Sequence, residues 1–324
     1  MNIERGAADF VRNLEGVFAY AQQLGKVSVT IYYFNDLKRL LETTKLFWKP
    51  NMCNQRTETT LNSMYSKILQ LQKFFLMTIA VTAVPLMLVL LLEKVPAIGI
   101  WTLKGHDTLY HFVIAEQIIY MPYVGVLVWA FECMYLGFCV EIIVQFKILS
   151  HHLEKLTTEG STTKEKELNY LEKINACIRH HQLMLWFIKK FRQIFSLLLL
   201  TEYLTAGPLI CAELFAAFEG QSYRNKMRHI FIFFALAFQL GSYCIPADYV
   251  TDEALSVSYA IYSSKWYANH FPSLKVPLLL MMQNAQQEIT IRAGGLVVIN
   301  TQTFVTVLKV AWSACSIARG LRQN

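Results

Sequence analysis

Charge is what this chain has least of: only 16% of its 324 residues are Asp, Glu, Lys or Arg, against about 25% in an ordinary soluble domain. That scarcity excludes a solvated globular surface. Other absences narrow the function further. There is no HExxH, no Gly-rich phosphate loop, no paired-carboxylate arrangement and no Ser-His-Asp pattern, so an enzyme is not expected. The seven cysteines form no CxxC and no metal spacing, and several fall inside apolar runs, so they are expected to be reduced, buried small residues. No cofactor is implied. The opening MNIERGAADF lacks a basic stretch followed by an apolar core, so no cleavable leader is expected and the spans themselves would drive insertion.

What is abundant is apolar sequence in blocks, 54% of the chain. Residues 74–92 (FFLMTIAVTAVPLMLVLLL) carry no charge and reach the roughly 18 residues needed to cross about 30 Å of hydrocarbon. Five clear spans are expected: 73–92, 117–141, 194–218, 229–249 and 294–318. A sixth, 9–34, is helical in period but carries Arg12, Glu15 and Lys26. Lipid cannot surround those charges, so this segment must pack on neighbours or line a wet cavity. The chain is a multi-spanning membrane protein with the bilayer as its solvent.

Orientation follows from the basic residues. The loop 35–73 holds Lys38, Arg39, Lys45, Lys49, Arg56, Lys67 and Lys73, and 146–193 is richer still, whereas 93–116 holds only Lys94 and Lys104. Excess Lys and Arg mark the cytoplasmic side. The modest net charge of +7 therefore reports basic inner loops, and no nucleic-acid partner is expected. Both 141–156 and 168–192 continue their neighbouring spans with apolar residues at helical spacing, which predicts an antiparallel helix pair below the membrane. SYAIYSSKWY (258–267) then falls on the cytoplasmic side, too polar to span and too aromatic for a plain linker.

Several residues are candidates for function. Glu202 and Glu213 lie eleven residues apart, on nearly one helix face. They suit either a cation pathway or hydrogen bonding between packed helices, with Glu213 expected to be solvated at the outer boundary. Glu132, deep in its span, either tunes a cavity or pairs with a neighbour; Glu141 is expected to be structural. His151/His152 and His180/His181 sit on the two arms of the inner helix pair. Adjacent residues point about 100° apart on a helix, so helix packing is expected there and no metal site. Aromatics at outer span ends anchor in the lipid interface or line a greasy pocket. The last span places Asn300, Thr303, Thr306, Lys309 and Ser313 every third or fourth position, a polar stripe that suits a water-filled pore or a small-residue helix interface.

QFKILSHHL (145–153), IRHHQLMLWF (178–187), ICAEL (210–214), SYC (242–244), DEALSVSYAIYSSKWY (252–267) and TQTFVTVLKVAWS (301–313) together resemble the insect odorant receptors, from about residue 9 to the end. The resemblance implies an all-α, polytopic, seven-helix fold with a cytoplasmic N-terminus, its first family helix missing here. The tail reads TF where the related gustatory receptors have TY…QF. The resemblance further implies a tuning-type subunit, distinct from the shared co-receptor, that joins it in a heterotetrameric, odorant-gated, non-selective cation channel. Such receptors sit in the plasma membrane of olfactory sensory neurons.

Carried over by position, residues 1–140 and 194–250 form the ligand-binding bundle, 141–193 and 251–292 the cytoplasmic anchor, and 293–324 the pore helix and outer C-terminus. The pore set is Thr303, Thr306, Lys309, Val310 and Ser313. The implied pocket for a small volatile is Phe18, Met87, Tyr120, Tyr123, Phe234 and Tyr243. The implied subunit anchor is Tyr259, Tyr262, Trp266, Phe146 and His181. Glu202 stands where a glutamine is usual, Ala247 replaces a glycine, and Gln283 and Gln287 replace an arginine and a proline. A truncated, non-conducting receptor is the alternative. A secondary transporter would need an inverted repeat, which the sequence lacks.

Overall fold

The structure, a computed structural model, describes residues 2–92, 107–155, 164–219, 223–264 and 272–323. Seven helices account for most of them: α1 (Asn2–Thr43), α2 (Gln55–Leu92), α3 (Asp107–Glu154), α4 (Lys164–Glu219), α5 (Tyr223–Ser263), α6 (Pro272–Ala285) and α7 (Thr301–Gln323). Among the described residues, three helices (α3, α4 and α5) are long and apolar enough by length and composition to cross a membrane.

Every expected span except the start of the last lies within a helix, and the longer helices run well beyond the apolar blocks. At 48 and 56 residues, α3 and α4 extend about 70 and 85 Å at 1.5 Å per residue, more than twice the hydrocarbon thickness. Their inner halves form the expected antiparallel pair, and α3, α4 and α5 run uninterrupted through the boundaries at 141, 194 and 251. Ser258 to Ser263 accordingly complete α5 and are no linker; Lys265 to Tyr267 lie outside the described residues.

The pairing of helices is selective. α1 packs on α4, α3 on α5, α4 on α5, α2 on α3, and α7 on α4 and α5. Gly25 lets α1 come close: a Cβ there would sit 3.3 Å from the Thr201 side chain. The core is densest where α3, α4 and α5 meet. Phe187, Phe191 and Phe195, one turn apart on α4, pack on Tyr135 and Phe138 of α3 with ring centroids 5.5–6.2 Å apart. Facing away from the bundle, α2 exposes Phe74, Met77, Val81, Val84, Leu88 and Leu91. Their spacing of three and four residues makes one continuous apolar face, far larger than a water-soluble monomer tolerates and suited to acyl chains.

One expected element differs. Residues 294–300 do not begin the last helix; they close a two-stranded hairpin, β1 (Arg292–Ala293) against β2 (Val297–Val298). Gly294 and Gly295 both adopt positive φ, 59° and 73°, the left-handed pair that a tight hairpin requires. The helix then starts at Asn300, whose side-chain oxygen accepts the Thr303 N–H at 2.9 Å as an N-cap.

The chain leaving α1 is clamped by Gln145, which accepts the Trp48 N–H at 2.9 Å and donates to the Trp48 carbonyl at 3.0 Å. The Trp48 indole stacks flat on His180, centroids 4.1 Å apart. His152 tilts against the same indole and bonds the Ile148 carbonyl at 2.8 Å through Nδ1, while His181 meets Phe146 edge-on. His152 and His180 thus hold Trp48 against α3 and α4, and His181 packs α4 on α3.

Burial pushes His180 and His181 down to about 4, His180 further through the nearby His152 and His181. In the unfolded chain they titrate near 6.5, so as pH falls the unfolded state takes up protons first. Stability from this region is full above about pH 6.5, declines through the interval, and is lost by about pH 4. Thermal melting in detergent should therefore show a steep acid loss between those values, shallower in His180→Phe/His181→Leu. Equal slopes in the two proteins would reject this cause.

Candidate functional site

A buried charged cluster lies where α1, α3, α4 and α5 converge. Lys26 of α1 is fully buried, and its Nζ stands 2.9 Å from Glu202 Oε1 on α4. The other oxygen of Glu202 accepts Gln239 Nε2 of α5 at 3.0 Å. Gln239 also reaches toward Glu132 of α3 at 3.5 Å. Glu132, 0% exposed, accepts the Tyr243 hydroxyl at 2.5 Å and the Ser242 hydroxyl at 3.4 Å. Tyr135 OH, in turn, donates to the Tyr243 carbonyl at 2.9 Å. One turn outward from Lys26, Gln22 donates to Thr205 at 2.8 Å.

Four helices are therefore joined by one polar chain, with one ammonium facing two carboxylates. Removing two charges from water costs several kcal/mol each, and lipid supplies no donors. Each carboxylate instead has protein partners on other helices. For Glu202 and Glu132 the helix-pairing alternative describes what is seen; Glu141, accepting Tyr65 OH at 3.0 Å, is likewise structural. Glu213 departs from expectation: it is 0% exposed and paired with His229, not solvated. The sequence hint to Lys26 was a lysine inside an aromatic span, but its partner lies 176 positions away.

The last helix divides cleanly. Val307, Ala311 and Cys315, four residues apart, are buried against α4 and α5, whereas Thr306, Lys309, Val310 and Ser313 lie exposed on the opposite side. Thr303 does not join that open face. It is half-buried, and its hydroxyl is spent on the Val298 carbonyl at 2.6 Å, so it fastens the helix start to the hairpin.

The expected pocket residues separate. Tyr243 belongs to the buried network, Tyr120 stacks on Tyr20 at 5.2 Å, and Phe18 and Met87 are half-buried. Tyr123 and Phe234, 55% and 65% exposed, face outward from the single chain, because their helix positions turn them away from the bundle axis. Neither lines an interior pocket.

The expected anchor set also divides. Tyr259 and Tyr262, three residues apart on α5, are both about two-thirds exposed. Phe146 and His181 are corrected: both are buried inside the chain, where α3 and α4 pack, and cannot touch a second subunit. Trp266 lies outside the described residues. Of the cysteines expected to be buried, Cys139, Cys177, Cys244 and Cys315 are, while Cys53, Cys133 and Cys211 are half-buried.

The model of a family described as 7tm Odorant receptor matches residues 7–312. Among curated proteins, the chain is similar to Odorant receptor 22a of Drosophila melanogaster, 22% identical over 58% of this chain and 49% of that one. It is also similar to Odorant receptor Or2 of Anopheles gambiae, 24% identical over 58% and 52%. The chain spans about half the length of the curated relatives it matches. Among solved structures it is similar to the insect olfactory receptor OR5 from Machilis hrabei in complex with eugenol. That match has a TM-score of 0.75 at 15% identity, covering 97% of this chain and 81% of that one. At such low identity the likeness shows the fold, that of an all-helical insect olfactory receptor, with part of the OR5 chain unmatched here.

Proposed function

Because this chain belongs to the 7tm odorant receptor family, we propose that it is a tuning-type subunit of an odorant-opened, non-selective cation channel. The observation that carries this reading is the two-sided last helix. Its apolar face is packed, and Thr306, Lys309, Val310 and Ser313 remain open to whatever fills the centre of an assembly. A polar stripe on a membrane helix is costly against lipid and natural against water. In this reading α7 lines the pore, the outer halves of the remaining helices hold a small volatile, and the chain acts in the plasma membrane of olfactory sensory neurons.

Assembly with a co-receptor is supported by apolar surface beyond the spans. Tyr259 and Tyr262 at the end of α5, and Val276, Leu279 and Leu280 on α6, are exposed, and in this reading they lie below the bilayer. Lipid does not reach that depth, so neighbouring subunits are the fitting cover; Tyr suits such a surface by joining apolar area to a polar tip. In domain terms, 1–140 and 194–250 contribute to the ligand bundle, 141–193 and 251–292 to the anchor, and 293–324 to the pore. Binding and conduction, with no chemistry performed, are the whole activity in this reading.

The test is to co-express the chain with the co-receptor and apply a panel of esters, terpenoids and aromatic volatiles. Evoked inward current is expected. With Lys309→Glu, the reversal potential should shift toward greater calcium permeability, because a positive ring position becomes negative. Surface-delivered protein with no current would overturn the channel reading. Unchanged permeability in the Lys309→Glu channel would overturn the pore assignment alone.

A further inference from the structure

A second charged cluster lies at the outer end of the bundle, where the start of α5 meets α1 and the end of α4. Glu213 accepts from His229 Nδ1 at 2.8 Å through Oε2, and both residues are buried. Arg228 donates to Glu15 Oε2. Glu15 Oε1 and Glu213 Oε1 are both buried with no protein N–H or hydroxyl donating to them, and the two carboxyl groups lie within hydrogen-bond reach of each other. One ligand atom from each of Glu15, Glu213 and His229 lies within 4.8 Å of the others.

Two carboxylates face a single guanidinium here, so the cluster is one positive charge short unless something cationic joins it. Bare carboxylate oxygens at zero exposure are costly. Two needs are open, the missing charge and a partner for each Oε1, and a proton shared between Glu15 and Glu213 is one way to meet them. A divalent ion would meet both. One imidazole nitrogen and two carboxylate oxygens, with a water in the fourth place, is a donor set that zinc and its neighbours take up. Metal–ligand distances of about 2.0–2.2 Å set ligand atoms roughly 3.4 Å apart, so the three need close by only about an ångström. Arg228, 45% exposed, leaves a path from the outer aqueous phase and orients Glu15 from behind.

We propose that Glu15, Glu213 and His229 form a zinc-class divalent metal site that ties the outer ends of α1, α4 and α5 together. Sequence spacing does not reveal it, because its three ligands come from three helices. It holds together the end of the bundle that the proposed function assigns to the odorant, but its existence does not depend on that function.

The purified full chain, stripped with a chelator, is melted in detergent with and without zinc chloride, with magnesium as control. Zinc at a hundredfold excess over its dissociation constant should raise Tm by about 5 °C, magnesium should not, and His229→Gln and Glu213→Gln should abolish the rise. Cobalt(II) should give the visible absorption of a four-coordinate site in the wild type, a readout that needs no variant to fold. An absent zinc shift together with a featureless cobalt spectrum overturns the proposal. So does a shift that persists in both variants, or a cluster whose stability follows pH alone with no response to zinc.

Discussion

Lys26→Met should be among the most damaging single substitutions in this chain. Methionine matches the lysine stem in length and suits the membrane interior by itself, so the loss would come from what is left behind. Glu202 and Glu132, 2% and 0% exposed, would share the site with no cation. Breaking a buried pair by removing one partner costs about 3–5 kcal/mol, a large share of the roughly 5–15 kcal/mol that holds a typical domain folded. Most of the protein is expected to be retained before the cell surface, and the remainder to melt well below wild type.

The companion substitution separates cause from context. Glu202→Gln keeps the shape and leaves Lys26 to balance Glu132, so a loss of about 1 kcal/mol or less is expected. Lys26→Met combined with Glu202→Gln removes the ammonium and the carboxylate together. Glu132 then keeps Tyr243, Ser242 and Gln239 as donors. The double variant should be more stable than Lys26→Met alone, a coupling a double-mutant cycle reads directly. Melting temperatures that simply add across the cycle would show that the pair contributes nothing.

How far the sequence revealed this architecture depends on the scale of the interaction. The apolar blocks announced the spans, and the helical period of 141–156 and 168–192 announced the inner helix pair, because both signals repeat within a few turns. The stripe on α7 was legible too, except at Thr303, where a local hydroxyl-to-carbonyl bond to Val298 overrides the period. Phe146 and His181 were misplaced because an apolar or aromatic side chain serves an interface and a core equally well. Lys26–Glu202 and Glu213–His229 were unreadable as pairs: each joins different helices, and nothing in either helix names its partner. The start of α7 was misjudged because GGLVVIN is apolar enough to extend a helix, and only two successive positive φ values turn it into a hairpin.

That hairpin is where the second large effect is expected. Gly294 has φ +59°, and a Cβ there would stand 2.6 Å from Leu200 Cδ2. Its N–H also donates to the Ser196 carbonyl at 2.9 Å, and Ser196 Oγ donates to the Arg292 carbonyl at 3.2 Å. Residues 196 and 200 are one turn apart on α4, so the hairpin rests on a short stretch of that helix. It sets the point from which α7 departs. Gly295 has φ +73° but nothing within 4 Å of a Cβ.

Alanine at either glycine meets the left-handed backbone cost of about 1–2 kcal/mol, but only Gly294→Ala must also displace Leu200, about 1–3 kcal/mol more. Gly294→Ala is therefore expected to melt clearly below Gly295→Ala, which in turn lies below wild type. In a Leu200→Ala background the clash disappears and the two glycine variants should nearly converge, the conformational cost alone remaining. Equal losses at both glycines in the wild-type background would mean that α4 does not carry the hairpin. Convergence would instead locate the contact through which a movement of α4 reaches the helix assigned to the pore.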